Sequence, residues 1–291
     1  MRGKTIDILK QAMEEGYAVG AFNTSNLEIT QGIVHAAHKL ERPCIVQMTS
    51  NAMKYAGSNV LGDVVRSVIE NDSDSVPVGF HLDHGKSLDH VMDAIEAGVD
   101  SVMIDGSSLR FKENLEITKR IVEYSHEREV TVQAELGRVP YLGREDQEIN
   151  WDEVMTNPEE AKKLVDETGI DALAVGIGNA HGFFREREVP DWDRLEKIKA
   201  LIPQTPLIMH GASDWTDDRV VQAIERGICC FNIDTDIRVA FITKICNITN
   251  SKCDTTDPRK VLGAARKNVK NKVVEKIKMF ANQTKTEKTS E

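Results

Sequence analysis

The sequence predicts an α/β chain of the (β/α)8 TIM-barrel class with a C-terminal helical extension, and three observations predict it. Eight short β-rich runs alternate with helix-patterned runs from one end of the 291 residues to the other, as repeated βα units require. Pro43, Pro77 and Pro206 each stand just before one of those runs, where a missing N–H is tolerated at a strand start. Ala94-Ile95-Glu96-Ala97-Gly98 and Ala223-Ile224-Glu225-Arg226-Gly227 each lead directly into an apolar run. Glycine is the expected helix C-cap there because it accepts a left-handed backbone. The competing arrangement is an open, doubly wound sheet, but no Gly-x-Gly-x-x-Gly follows the first strand candidate.

In chain order the strand candidates are Ala18–Phe22, Cys44–Met48, Val78–Leu82, Ser101–Ile104, Thr131–Leu136, Ala172–Ile177, Leu207–Met209 and Ile228–Ile233. Between them lie segments with apolar residues near helical spacing, such as Leu115, Thr118, Ile121 and Val122. Two connections are unusually long, Gly137–Asn150 and Gly178–Val189. On a barrel such βα loops carry chemistry or act as covers, and the plainer reading is a solvated, charged surface loop. Asp257-Pro258-Arg259-Lys260 opens a last amphipathic helix that reaches about Phe280. With no linker dividing the chain, residues 1–284 form one barrel domain and 285–291 a polar tail.

The net charge of −10 argues against nucleic acid as a partner, because phosphate backbones need a basic surface. It leaves room for a small phosphorylated ligand, which needs only a local positive site. The five cysteines include no Cys-x-x-Cys pair, so neither a disulfide framework nor a thiolate zinc site is expected. No apolar run approaches the ~20 residues that span a bilayer. The opening segment turns acidic at Glu14-Glu15 and lacks the apolar stretch of a signal peptide. The expectation is a cytoplasmic protein with no membrane partner.

Three histidines stand where strand candidates end, each followed at once by glycine: His84, His181 and His210. One histidine after a strand is more often a satisfied structural residue. Three in the same setting at one end of a parallel barrel form an open three-nitrogen site that suits a catalytic Zn2+. Asp83 adjoins His84 and is placed to exchange a proton with a substrate hydroxyl; the bland alternative is a cap for the helix that follows. Glu135 ends the fifth strand candidate and points at the same region as a further metal ligand or a partner of one. Glu145 lies on the long loop beyond and could reach substrate only on closure; Asp146 and Glu148 are not distinguished from it. Gly182, Gly211, Ser213, Asn232 and Thr235 stand at or just past the ends of the last strands. Backbone N–H groups and hydroxyls there make the usual barrel anion site. Asp234 and Asp236 are poor phosphate contacts, so they are expected to position the loop or a cation.

These stretches resemble the class II, metal-dependent ketose-bisphosphate aldolases of the fructose- and tagatose-bisphosphate type. The resemblance runs from Ala21-Phe22-Asn23 through Gln47, His81–Gly85, Ser101–Ser107, Ala134–Gly137, Asp171–Val175, His210-Gly211 and Asn232–Asp236 to Asp257-Pro258-Arg259. It implies that His84, His181 and His210 bind one catalytic Zn2+ with Glu135 close by, a monovalent cation being a second candidate cofactor. It further implies that Asp83 handles the proton on the C4 oxygen and that Glu145 removes one from bound dihydroxyacetone phosphate. Asn23, Thr49, Gly182, Arg185, Gly211, Ser213, Asn232, Asp234 and Thr235 fall in the substrate- and phosphate-binding region. Arg259 matches an arginine that reaches the distal phosphate in a neighbouring subunit, which implies a homodimer or homotetramer. The implied reaction is reversible cleavage of a ketose 1,6-bisphosphate, fructose 1,6-bisphosphate first, to dihydroxyacetone phosphate and glyceraldehyde 3-phosphate. No lysine Schiff base is needed.

The chain departs from the family pattern in four places. His210-Gly211-Ala212-Ser213-Asp214 replaces His-Gly-Gly-Ser-Gly, and Leu142-Gly143-Arg144-Glu145-Asp146 replaces Gly-Gly-x-Glu-Asp. Thr49 stands for a serine and Arg185 for a lysine. These changes bear on the sugar, so tagatose bisphosphate or another modified phosphorylated ketose is the alternative substrate. A non-catalytic barrel subunit, the reading from another class, would be expected to lose candidate ligands that this chain keeps.

Overall fold

The computed structural model describes residues 1–73, 76–140, 149–180, 189–250 and 257–281. Its strands are β1 (Val19–Asn23), β2 (Cys44–Thr49), β3 (Val78–Gly85), β4 (Ser101–Ile104), β5 (Thr131–Leu136), β6 (Ala172–Val175), β7 (Leu207–Met209) and β8 (Ile228–Ile233). They form one closed barrel in sequence order, and β8 pairs back onto β1 in parallel. The helices are α1 (Thr5–Glu15), α2 (Leu27–Leu40), α3 (Ser50–Ala56), α4 (Ser58–Asp72), α5 (Leu88–Glu96), α6 (Phe111–His126), α7 (Trp151–Val154), α8 (Pro158–Thr168), α9 (Trp192–Leu201), α10 (Asp217–Glu225), α11 (Thr235–Asn250) and α12 (Pro258–Phe280). Among the described residues none is long and apolar enough to cross a membrane.

Capping chemistry sets many of these helix starts. Asn26, Ser87 and Asp191 accept the N–H of Ile29, His90 and Arg194, and Asn157 precedes Pro158 at the head of α8. The two helix–glycine–strand junctions behave as their sequences predict, with Gly98 at φ 92° and Gly227 at φ 100°. β1 and β2 differ from expectation by a single residue at one or both ends, and two strands differ by more. β6 stops at Val175, because the Gly176 N–H turns to the Thr156 hydroxyl and the Ile177 N–H to the Asn179 side chain. β3 runs on to Gly85, with a register shift against β4 between Leu82 and Gly85.

Parity along the strands sorts the side chains into two cores. Phe22, Val46, Phe80, Leu82, Val102 and Ile104 face the helical shell. The opposite parity fills the barrel, and its chemistry changes with height. Val19, Ala21, Ile45, Ala172 and Cys230 pack low in the barrel against Ile8, Leu9 and Ala12 of α1, which covers the N-terminal opening. Towards the carboxyl ends the buried residues turn polar: Asn23, Gln47, His81, Asp83, Gln133, Glu135 and Asn232. This polar layer lies where barrels of this class place their chemistry.

The extension α12 packs against α2 and α11. Its far end is held by Phe280, stacked on Phe231 of β8 with centroids 4.7 Å apart, and by an N–H of Ala18 donating to the Phe280 carbonyl.

Candidate active site and metal centre

His84 and His210 come together at the C-terminal mouth, His84 Nε2 facing His210 Nδ1 at 3.0 Å and the rings edge to face. The β3 irregularity puts His84 there. Its φ is 50°, a left-handed value that costs a non-glycine residue energy and that persists only when its surroundings hold it. Asp105, just past β4, supplies part of that hold. Its Oδ2 accepts from His84 Nδ1 at 3.0 Å, and its Oδ1 accepts from the Ser107 hydroxyl at 2.6 Å and from the Ser107 N–H at 3.2 Å. Hydrogen bonding through Nδ1 leaves Nε2 of His84 turned to the cluster, the usual arrangement behind a metal-binding imidazole. His210 is set the other way round. The amides of Asn232 and Gln133 lie 3.0 and 3.3 Å from its Nε2, so Nδ1 is the nitrogen that faces His84. Gly211, at φ 66°, makes the sharp exit from His210 that a side chain would oppose.

Asp83 does not cap a helix; Ser87 caps α5. The Asp83 carboxylate accepts from Asn23 Nδ2 at 2.8 Å and from Asn232 Nδ2 at 3.2 Å, and Asn23 is itself gripped by Gln47. One oxygen of Asp83 lies 3.9 Å from His84 Nε2. Glu135 Oε2 stands 3.9 Å from Nδ1 of both His84 and His210, and this buried oxygen has no hydrogen-bond donor. Asp83, His84 and His210 offer donor atoms within 4.8 Å of one another, as do His84, Asp105 and Glu135. The set is a possible divalent-metal site.

The electrostatics agree. Burial works against a charged His84, but Asp83, the Asp105 hydrogen bond and Glu135 outweigh it and hold the pKa up to about 10. Burial raises Glu135 and Asp105 adds to the shift, to about 8, against the pull of His84. Asp83 remains below the usual carboxylate range despite burial, because His84, His210 and the Asn23 amide favour its charge. Asp105 is likewise held well down against its burial by His84 and Ser107. Asp83 and Asp105, both held ionised beside the imidazoles, make a donor set of oxygens and nitrogens that suits a divalent cation.

The remaining sequence-predicted residues divide into three groups. Ser213 and Gly211 are buried after β7, and Asn232, Asp234 and Thr235 end β8 and begin α11. Asp234, its pKa raised by burial, pairs with Arg238 at 2.9 Å. Thr49 lies in register with Asp83 and caps α3 through the Ala52 N–H. Arg259 is not part of the cluster: its side chain is 89% exposed and pairs with Asp257. Glu145, His181, Gly182 and Arg185 lie outside the described residues. Of the departures noted above, Ala212 puts its methyl into the core with Trp215, and Asp214 is exposed. Asp105 and Gln133 were not singled out from sequence. The rule applied to the histidines, a polar residue just past a strand, would have found Asp105.

Comparison with known proteins agrees with this geometry. The family model described as fructose-bisphosphate aldolase class-II matches residues 3–285. A fructose-bisphosphate aldolase of Thermus caldophilus is 39% identical over 95% of this chain and 97% of its own length. One from Staphylococcus epidermidis is 37% identical over 94% of this chain and 95% of its own. The crystal structure of the YdjI aldolase from Escherichia coli K12 superposes with a TM-score of 0.85 at 28% identity, covering 96% of this chain and 97% of that one. A closed parallel barrel, a histidine–carboxylate cluster at its carboxyl end and a match over nearly the whole sequence lead to one conclusion: the chain belongs to the class II fructose-bisphosphate aldolase family.

Proposed function

We propose that this aldolase reversibly cleaves fructose 1,6-bisphosphate to dihydroxyacetone phosphate and glyceraldehyde 3-phosphate, using one Zn2+ held by His84, His181 and His210 with Glu135 beside it. The observation that carries the reading is Asp83, a buried carboxylate fixed by two amides and 3.9 Å from the imidazole of His84. His84 Nε2 and His210 Nδ1, 3.0 Å apart, are close enough for both to hold one divalent ion. The donor-less Glu135 Oε2 fits the same ion. When bound, zinc supplies Lewis-acid polarisation of the ketose carbonyl.

The chain's own residues do the rest. Asp83, ionised, takes the proton of the C4 hydroxyl, and the C4–O electrons form the aldehyde as the C3–C4 bond breaks. Its pair of amide donors keeps the carboxylate aimed during that transfer. Glu145, on the long loop after β5, returns a proton to C3 and completes dihydroxyacetone phosphate. Gly182, Gly211, Ser213, Asn232, Asp234 and Thr235 form the region that takes that product's phosphate, with Asn23, Thr49 and Arg185 along the sugar. A monovalent cation would belong to the same phosphate region.

Arg259 serves a second copy of the chain. Helical rise puts it roughly 25 Å along α12 from Lys276, and Lys276 lies against Asp236 at the barrel mouth. Such a distance keeps Arg259 from its own site and supports a homodimer or homotetramer. We read the protein as cytoplasmic and glycolytic, with residues 1–284 as one domain.

A coupled assay for dihydroxyacetone phosphate release, run with and without a chelator on fructose and tagatose 1,6-bisphosphates, tests the reading. Chelator-sensitive cleavage with the higher kcat/KM on the fructose sugar is expected. Metal-loaded protein that cleaves neither would overturn it and leave a modified phosphorylated ketose as substrate.

A further inference from the structure

Near the end of α12, where Lys270, Lys272 and Lys278 are half-buried, Lys276 is buried. A lone ammonium in a protein interior is costly and persists only when paired and hydrogen-bonded. Its Nζ lies 2.8 Å from Asp236 Oδ2 and donates to the Ser213 carbonyl at 2.5 Å. Ser213 belongs to the turn after β7 and Asp236 to the first turn of α11 after β8. One side chain, 63 residues from Ser213 in sequence, therefore ties together the two loops that lie over the last strands.

We infer that Lys276 is a positioning residue for substrate phosphate: a built-in cation that fixes the Gly211–Ser213 turn and the Asp234–Asp236 turn in the arrangement that binds it. The inference rests on the assignment of those turns to phosphate made above. Two physical effects carry it. A trans peptide points its carbonyl and the next N–H in opposite directions, so holding the Ser213 carbonyl also fixes the Asp214 N–H, a backbone donor of that turn. The ammonium also neutralises Asp236. Without it a largely buried carboxylate, 12% exposed, would stand bare beside the position assigned to a dianion, and repulsion would add to the loss of order. Asp83 and His84 sit on β3, across the barrel from β7, with their own hydrogen-bond partners. His210, at the head of the same turn, is held independently of Lys276 by Asn232 and Gln133 on its ring and by the Asn179 amide donating to its carbonyl. Loss of Lys276 is therefore felt in binding more than in bond cleavage.

The test compares the native enzyme with Lys276→Met, Lys276→Arg and Ser213→Ala, all metal-loaded. It measures kcat, KM for fructose 1,6-bisphosphate and, independently of turnover, the Kd for inorganic phosphate by calorimetry. Lys276→Met is expected to raise both KM and the phosphate Kd at least tenfold with kcat within about threefold of native, and Lys276→Arg to recover most of the loss. A general packing defect would lower kcat as well as raise KM and would not be rescued by arginine, and that outcome overturns the inference. If Ser213→Ala weakens phosphate binding while a folded Lys276→Met does not, the inference fails and the phosphate assignment stands. If neither weakens it, the assignment itself fails and the inference with it. Should Lys276→Met not accumulate as folded protein, Asp236→Asn cuts the same link from the other side and is read against the same thresholds.

Discussion

Asp105→Ala isolates the support behind His84. Asp105 makes one charge-assisted bond to the imidazole at 3.0 Å and is itself fixed by two bonds from Ser107, so the imidazole loses an oriented partner. A hydrogen bond to a charged group contributes about 1.5–3 kcal/mol, equivalent to a factor of roughly 10–150 in affinity. The range measured for such outer partners of metal-binding histidines, about 10–100-fold, is the same. Zinc affinity, read by competition with a chromophoric chelator, should fall by that factor, while turnover at saturating zinc falls less. Ser107→Ala, which loosens Asp105 without removing it, should lie between native and Asp105→Ala. Folded Asp105→Ala with native zinc affinity would refute the reasoning, because His84 would then be held without its carboxylate and its left-handed backbone would need another explanation.

Other expectations are more direct. Asp83→Asn keeps the side chain's shape but removes its base, so kcat should fall by about 10²–10⁴ with metal content unchanged; native turnover would disprove the proton-transfer role. Arg259→Ala should raise KM for bisphosphates roughly ten- to hundredfold, as loss of one charge-assisted contact to phosphate does; an unchanged KM would remove Arg259 from the distal site. His81 is buried with its pKa lowered to about 4, whereas an unfolded histidine titrates near 6.5. Below that value the unfolded chain binds a proton that the folded one refuses, so stability falls as pH drops from about 6.5 to 4, by roughly 3 kcal/mol. Urea unfolding of the native protein and of His81→Gln across that range should show a shallower acid slope in the variant, and equal slopes would contradict the assignment.

The barrel was legible because strands buried on both faces read as short apolar runs, and because glycine marks where helices hand over to them. All eight runs appear, four with the expected bounds and the other four with one or both ends displaced by one to three residues. What escaped depended on tertiary context. The continuation of β3 through His84 requires a positive φ that no residue preference announces, and it is this bend that turns the imidazole towards His210. Periodicity assigns Gln47 and Gln133 to the interior face, but it does not reveal that Gln47 grips Asn23 or that Gln133 approaches His210. Lys276 had no sequence signal at all: α12 carries lysines at 260, 267, 270, 272 and 278 as well, and only the closed topology brings one of them against the turns that follow the last two strands. Family pattern did better for Asn23 and Asn232, which the structure places on the two oxygens of Asp83.

The change of chemistry with height inside the barrel has an evolutionary consequence. The lower interior, from α1 up through Val19, Ile45 and Cys230, holds the molecule together and takes no part in recognition. The upper layer is polar and carries the histidine–carboxylate cluster. Selection can therefore act on the two ends almost independently. Exposed positions beyond the strand ends, such as Asp214, can change without passing through a destabilised intermediate. That separation lets one architecture serve a succession of sugars while its foundation stays the same.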